Sequence, residues 1–307
     1  MRFALFTVAL LFVQSVQCQP LDTLIEINGN QRPAQILILG SQTYIYPKPK
    51  AHTFITSIPK TFTGVVKQSF HRKSIKPWIW IAGSTVALWA ADQKIMDGMQ
   101  QFSRHIKLDY NRKYIDVVGF NLGNKYIDVY QAPDNLNTAI YTIGEGVPPL
   151  LIGAGLFAHG LIKKNYRSLS TASQLMQGLI AMGITTQFLK RTTGRESPFK
   201  ATQDRGRWRP FPNPKTYQQN VSSYDAFPSG HMGTLMVTTV ILAENYPEKK
   251  WIRPVGYSIM SLVGLSMINN SVHWASDYPL AIGMGYVFGK VTVNMNRWIR
   301  HDDKNKR

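Results

Sequence analysis

Ala226-Phe227-Pro228-Ser229-Gly230-His231-Met232-Gly233 opens an apolar run that reaches Ala243. The uncharged run predicts a helix over 226–243. Ser229 reads as its N-cap, because a short hydroxyl side chain can accept from an amide of the first turn. The amides of Gly230 and His231 would then point out of a helix start, which is a natural anion site. Glycine lets the backbone come close to an anion's oxygen. His231 projects beside that site, where it could deliver a proton. A Ser-Gly cap with a passing histidine explains the same residues taken alone.

Working outward, five further runs share this apolar character: Pro77 to Ala91, Val147 to Ile162, Ser168 to Leu189, Pro254 to Ser276 and Tyr278 to Gly289. Glycines such as Gly153, Gly178, Gly264 and Gly285 lie inside them, and small residues let helices approach closely. Six helices of this kind predict an all-α, six-helix bundle with a short N-terminal extension. The polar stretch Asp92 to Asn137 is expected to hold shorter helices. Ahead of the bundle, Ile25 to Asn30 and Gln35 to Leu39 read as short strands, with Asn28-Gly29 as a turn. Pro47 to Lys50 reads as a linker, and Phe54 to Phe70 as an amphipathic helix. The division expected is a signal peptide at 1–18, an extension of unreadable role at 19–52, a helical domain at 53–300 and a basic tail at 301–307.

The first residues suggest export. Arg2 precedes the apolar run Phe3 to Val13, and polar residues follow to Cys18 and Gln19. That run has signal-peptide length and is short for a membrane span. Cleavage before Gln19 would remove the one cysteine and leave no disulfide to stabilise the fold; lipid attachment at Cys18 is the competing reading. Localisation in the cell envelope follows from either.

The 307 residues are 44% apolar and carry a formal charge of +18. This excludes a disordered chain and suggests an anionic partner. Nucleic acid fits the charge but not the signal peptide or the apolar helices. Of the six runs, Ser168 to Leu189 and Pro254 to Met267 approach membrane-spanning length, while Pro77 to Ala91 and Tyr278 to Gly289 fall short of about twenty residues. Basic residues on both sides of the third run leave its orientation open. Membrane spans and a periplasmic bundle both remain open. His52, His71, His105, His159 and His301 have no metal-site spacing, so no metal or other cofactor is expected.

Two more segments carry chemistry. Lys190 to Pro198 reads KRTTGRESP. Gly194 is a helix C-cap, which holds Lys190 and Arg195 at a fixed helix end. Solvated cations favouring the helix dipole are the plain alternative. Ser266 to Asp277 reads SMINNSVHWASD. His273 and Asp277 are four apart, so one helical turn would place them on one face. A carboxylate on one ring nitrogen fixes the tautomer and makes the other nitrogen more nucleophilic.

Together, Lys190, Gly194-Arg195, Pro228-Ser229-Gly230-His231, His273 and Asp277 resemble the type-2 phosphatidic-acid phosphatase superfamily, which includes the class A acid phosphatases and the vanadium haloperoxidases. The resemblance runs from about Pro77 to Arg297. It implies a phosphatase-type helical fold and a metal-independent phosphatase. In it, His273 is the nucleophile, Asp277 its orienter and His231 the acid and base. Lys190, Arg195, Ser229 and the Gly230 amide would bind the phosphoryl oxygens. The implied partner is a phosphate-bearing substrate, lipid or soluble, at or near a membrane. Two positions depart from the family pattern: Ser197 and Met267 stand where it has phosphate-clamping arginines. That leaves a phosphate- or headgroup-binding pseudoenzyme as the alternative, with a haloperoxidase behind it. Arg191, Arg205, Arg207, Arg209, Asn269 and Asn270 are the candidate replacements. Oligomeric state is not readable from the sequence.

Overall fold

A computed structural model of the chain describes residues 23–27, 30–123 and 125–301. The expected signal peptide at 1–18, the cleavage before Gln19, the Asn28-Gly29 turn and the tail beyond His301 lie outside them. Helices dominate, as the apolar runs predict. They are α1 (Thr53–Thr56), α2 (Ile58–Ser69), α3 (Ile75–His105), α4 (Leu136–Ile143), α5 (Val147–Ile162), α6 (Tyr166–Thr193), α7 (Pro214–Gln219), α8 (Gly230–Asn245), α9 (Ile252–Asn269) and α10 (Tyr278–Asn296). Local chemistry starts several of them. The Asn135 side chain accepts from Thr138 N, Asn165 from Ser168 N and Ser229 from Met232 N, which satisfies donors that a helix start leaves free.

The core lies where α6, α8 and α10 pack. Leu175, Met182, Val237, Ile241, Phe288 and Val293 are buried together there. Helix α8 is enclosed along most of its length, which explains why its sequence is apolar all round rather than striped. Gly285 allows α10 to lie against α8: a Cβ at this position would come within 2.6 Å of the Gly233 carbonyl oxygen. A second cluster, including Tyr141, Met232, Met260, Val263 and Met267, joins α4, α8 and α9.

The structure corrects the sequence reading in three places. First, the helix beginning near Pro77 does not stop at Ala91. It continues to His105, because Asp92 turns inward and finds partners instead of ending the helix. Second, the stretch expected to hold short helices forms a hairpin, β4 (Tyr114–Leu122) with β5 (Lys125–Pro133). Ile115, Val117, Val118 and Phe120 are β-branched or aromatic, and strand suits them better than helix. Third, α9 ends at Asn269, and Ser271 takes a left-handed turn at φ 56°. His273 therefore lies beyond the helix.

The N-terminal extension is tied to the far end of the chain. Strands β1 (Thr23–Ile27), β2 (Asn30–Leu39), β3 (Gln42–Pro47) and β6 (Trp298–His301) form one antiparallel sheet in the order β1-β2-β3-β6. His301, expected in the tail, pairs with Gln42, and Pro47 closes β3 before the expected linker. The sheet docks on the bundle through the Tyr46 hydroxyl, which donates to the Asn245 carbonyl at 3.0 Å. The Gln35 side chain accepts from Arg167 N at 2.9 Å.

Among the described residues, no single helix is long and apolar enough to cross a membrane. Only α4 and α5 pass that test together, across a bend of 54°. Large apolar side chains are nevertheless exposed on helix surfaces, among them Ile79 and Trp80 on α3 and Leu151, Phe157 and Ile162 on α5.

Candidate active site

The three chemical segments converge at one end of the bundle, and backbone bonds lock them together. Helix α6 stops at Gly194, whose φ is 58°. Its amide donates to Lys190 O, and its carbonyl accepts from Arg209 N, both at 2.9 Å. A Cβ on Gly194 would lie 1.8 Å from Arg209 O, so this crossing needs glycine on grounds of both space and angle. The second segment is attached to the first, with Ala226 N donating to Arg195 O and the Thr193 hydroxyl to Phe227 O. The second is also attached to the third, with Ser229 N donating to Asp277 O at 3.0 Å. The start of α8 thus sits directly against the His273–Asp277 turn.

His273 Nδ1 lies 3.3 Å from Asp277 Oδ2. The same oxygen accepts from Trp274 N at 2.8 Å. The pair meets as expected, but across a turn and a short 3-10 segment (Ala275–Asp277) rather than along one helical face. His273 is buried. With Nδ1 engaged by the carboxylate, Nε2 is the nitrogen left for chemistry.

His231 stands next to it, with the two ring centroids 5.9 Å apart. Tyr141 packs on the other side of His231 at 4.6 Å. Nε2 of His231 is buried and has no hydrogen-bond partner among the described residues. Burial, with added repulsion from His273, Lys190 and Arg112, pushes the His231 pKa down to about 3. The ring is therefore neutral at physiological pH until an anion arrives beside it.

Arg195 departs from the reading as a phosphate ligand. It is fully buried, and both terminal nitrogens of its guanidinium bond to protein, while Nε has no partner among the described residues. Nη1 donates to Asp277 Oδ1 at 2.5 Å and to the Ser276 hydroxyl at 2.6 Å. Nη2 donates to Asp92 Oδ2 at 2.7 Å and to Arg205 O at 2.9 Å. Trp208 and Trp274 cover its faces. Arg195 thus holds Asp277, which holds His273. Both terminal nitrogens are thereby bonded to protein and not turned to a ligand.

Of the other candidate replacements, all but Arg207 have their side chains engaged elsewhere. Arg209 pairs with Glu196 at 2.7 Å, and Arg205 lies over Trp89. Arg191 bonds Gln187 and lies over Tyr217, and Arg207 is exposed. Asn269 Nδ2 donates to Asp109 O, and Asn270 Oδ1 accepts from Asn137 Nδ2. Ser197 and Met267 are both buried, and the Met267 thioether lies 3.9 Å from the Ser229 hydroxyl. Lys190 is buried and faces Asp225 at 3.3 Å. Sequence reasoning passed over Asp92, Asp225, Ser276, Tyr141 and Arg112. Asp92 did carry a signal, because an acid at the end of the run Trp89-Ala90-Ala91 needs a buried partner to be kept.

Comparison with known proteins bears on the same region. Residues 172–300 match the family model described as PAP2 superfamily. A stretch of 68 residues is 31% identical to a Lipid A 1-phosphatase of Porphyromonas gingivalis, covering 22% of this chain and 15% of that protein. The chain therefore spans under a sixth of the length of this relative. A solved structure, described as the first transmembrane PAP2 type phosphatidylglycerolphosphate phosphatase from Bacillus subtilis, is 15% identical. The match covers 83% of this chain and 98% of that one, with a TM-score of 0.39.

Proposed function

We propose, from the premise that residues 172–300 belong to the PAP2 superfamily, that the chain is a metal-independent phosphatase of lipid phosphates or diphosphates in the cell envelope. The observation that carries this reading is the meeting of His231 and His273. The two rings meet edge to face: His273 is buried and oriented by a carboxylate, and His231 is half-buried with a buried Nε2 that has no hydrogen-bond partner among the described residues. A purely structural histidine would normally have its nitrogen satisfied, because leaving a buried polar atom unpaired costs about 1–3 kcal/mol.

The chemistry divides into two steps. Nε2 of His273 attacks phosphorus, and the P–O bond to the leaving group breaks. Nδ1 keeps its proton against Asp277, which stabilises the charge that forms on the ring. His231 gives a proton to the departing oxygen. Because free His231 is neutral, that proton must arrive with the substrate: a phosphate monoanion carries one, and a dianion raises the His231 pKa and so favours uptake of one from water. His231 then removes a proton from the incoming water, which splits the phosphohistidine and releases phosphate. Lys190, the Ser229 hydroxyl and the Gly230 amide hold the phosphoryl oxygens.

The apolar outer helices suit a lipid substrate, and the Lipid A 1-phosphatase named above acts on a lipid phosphate. The test is phosphate release from a panel of lipid A, phosphatidate, a polyprenyl diphosphate and 4-nitrophenyl phosphate. Activity should persist in excess chelator and vanish in His273→Ala. Rapid quenching should trap an acid-labile, alkali-stable phosphoprotein. Activity that needs an added divalent metal would refute the mechanism. One observation favours a second reading, a phosphate-binding pseudoenzyme: Ser197, Met267 and the committed Arg195 leave few cations at the site. Binding of phosphate without turnover on any substrate would select it.

A further inference from the structure

The ionic side chains behind the two histidines do not add up to an anion site. Lys190 faces Asp225, and Arg195 is shared between Asp92 and Asp277. Two cations meet three carboxylates, so this cluster is net negative, although the phosphatase reading requires it to receive a phosphate. Charge of the opposite sign has to enter from another part of the chain.

Arg112 lies on the loop between α3 and β4, far in sequence from every segment that suggested chemistry. Its neighbours fasten that loop to the site. Asp109 O accepts from Asn269 Nδ2 at 3.1 Å, at the end of α9. Asn111 O accepts from Asn135 Nδ2 at 3.0 Å, and Lys113 N donates to the Thr138 hydroxyl at 3.1 Å, both at the start of α4. Between these anchors, Arg112 Nη1 donates to the Tyr141 hydroxyl at 3.3 Å, and its guanidinium carbon lies 5.6 Å from the centre of that ring. Tyr141 is the ring packed against His231, tilted by 44° to it. It also shares a buried cluster with Met267, the thioether standing where a family arginine is expected. Arg112 is exposed, so its remaining donors are open to a ligand. Of the carboxylates on this side, Asp109 pairs with Lys113 at 3.3 Å, and Glu145 accepts from the Tyr114 hydroxyl at 3.3 Å; burial raises the Glu145 pKa, against the pull of Arg112.

We infer that Arg112 is the phosphate-holding arginine of this site, reaching the phosphoryl group over Tyr141 from the side opposite Lys190. This rests on the phosphatase reading given above. The planar guanidinium offers paired donors that a lysine lacks. The repulsion that Arg112 and Lys190 both exert on His231 agrees with the two cations bearing on one spot. Helix α4 and the 107–113 loop then act as the site's roof, with Tyr141 keeping Arg112 aligned until substrate binds.

The experiment compares native protein, Arg112→Gln and Arg112→Lys. It measures binding of inorganic phosphate by calorimetry and hydrolysis of 4-nitrophenyl phosphate, with the thermal midpoint as a control. Arg112→Gln should bind phosphate about tenfold or more weakly, since a charge-assisted contact is lost. Its kcat/KM should fall by at least the same factor, with the thermal midpoint within about 2 °C of native, as befits an exposed side chain. Added guanidinium ion should restore part of the activity in Arg112→Gln and none in native protein. Arg112→Lys should fall between the two, and it gives the same comparison if Arg112→Gln does not fold. Equal binding and turnover in native and variant proteins overturns the assignment of Arg112 and leaves the phosphatase reading standing. A native protein that neither binds nor hydrolyses phosphate sinks both. A native protein that binds without turnover removes the catalytic reading, and the binding comparison still decides the role of Arg112.

Discussion

His231 shows how one side chain's surroundings set its chemistry. A histidine in water is half protonated near pH 6.5, whereas this ring is held down to about 3 by burial and by the cations around it. An oxyanion placed beside Nε2 reverses the second influence and gives the proton a partner. Binding therefore takes up a proton, and affinity must rise as pH falls. Sulfate is the cleaner probe because it does not titrate between pH 5 and 8. Native protein should bind sulfate more tightly at pH 5 than at pH 8, by calorimetry in buffers of matched ionic strength. Buffers of different ionisation enthalpy should reveal net proton uptake. His231→Gln should flatten that dependence. A native profile that is flat, or that weakens towards acid, would contradict the assignment of His231 as the group that becomes protonated. At this scale the sequence was legible where the residues carry a pattern. The three segments holding Lys190, Ser229, His231, His273 and Asp277 come together, although His273 and Asp277 pair across a turn and not along the helical turn that their spacing suggested. Arg112 was not legible, because an arginine on a polar loop has no local signature, and only the fold brings it to Tyr141.

Between residues and whole fold, the elements are held in register by a few buried ionic ties, and Arg195 is the central one. It connects α3 through Asp92, the turn before α10 through Asp277, and the basic loop through the Arg205 carbonyl. The helix cap placed Arg195 near Lys190, and the family resemblance put it in the phosphate site. What that reading could not include was Asp92, about a hundred residues earlier, which points inward only because α3 runs on past Ala91. The hairpin was missed for a related reason. Its strands carry no clean two-residue alternation, since Val117-Val118 are adjacent and Gly119 interrupts β4, and helices dominated the rest of the chain. Removing Arg195 leaves Asp92 and Asp277 buried with an unpaired charge, a change that costs about 3–5 kcal/mol. Arg195→Gln should therefore unfold at a clearly lower denaturant concentration, and it should lose turnover because His273 loses its fixed carboxylate. Asp92→Asn in the same background should recover part of the stability by removing one of the stranded charges. Had Arg195 been a simple phosphate ligand, Arg195→Gln would keep native stability in the absence of phosphate and lose only affinity.

For the molecule as a whole, the question is what covers the outside of the helices. A soluble bundle scatters its exposed apolar residues singly, which needs no explanation. Here they concentrate on particular helices: Ile75, Trp78, Ile79, Trp80 and Trp89 on α3, Leu151, Phe157, Leu161 and Ile162 on α5, and Leu262 and Leu265 on α9. Trp80 is 78% exposed and Ile162 76%. Tryptophan at such places suits the boundary between headgroups and acyl chains. The basic surplus gives a second means of attachment, through anionic headgroups, and the two respond differently to salt. The expectation is that the protein floats with phosphatidylcholine vesicles, which have no net charge, and stays with them in high salt. Replacing Ile79 and Trp80 together by serine should release a substantial part of it, since each buried apolar side chain contributes about 1.5–3 kcal/mol. The double variant should keep its fold, because neither side chain is in the core. Binding confined to anionic vesicles and abolished by salt would show that charge alone holds the protein to lipid. The apolar faces would then need another explanation.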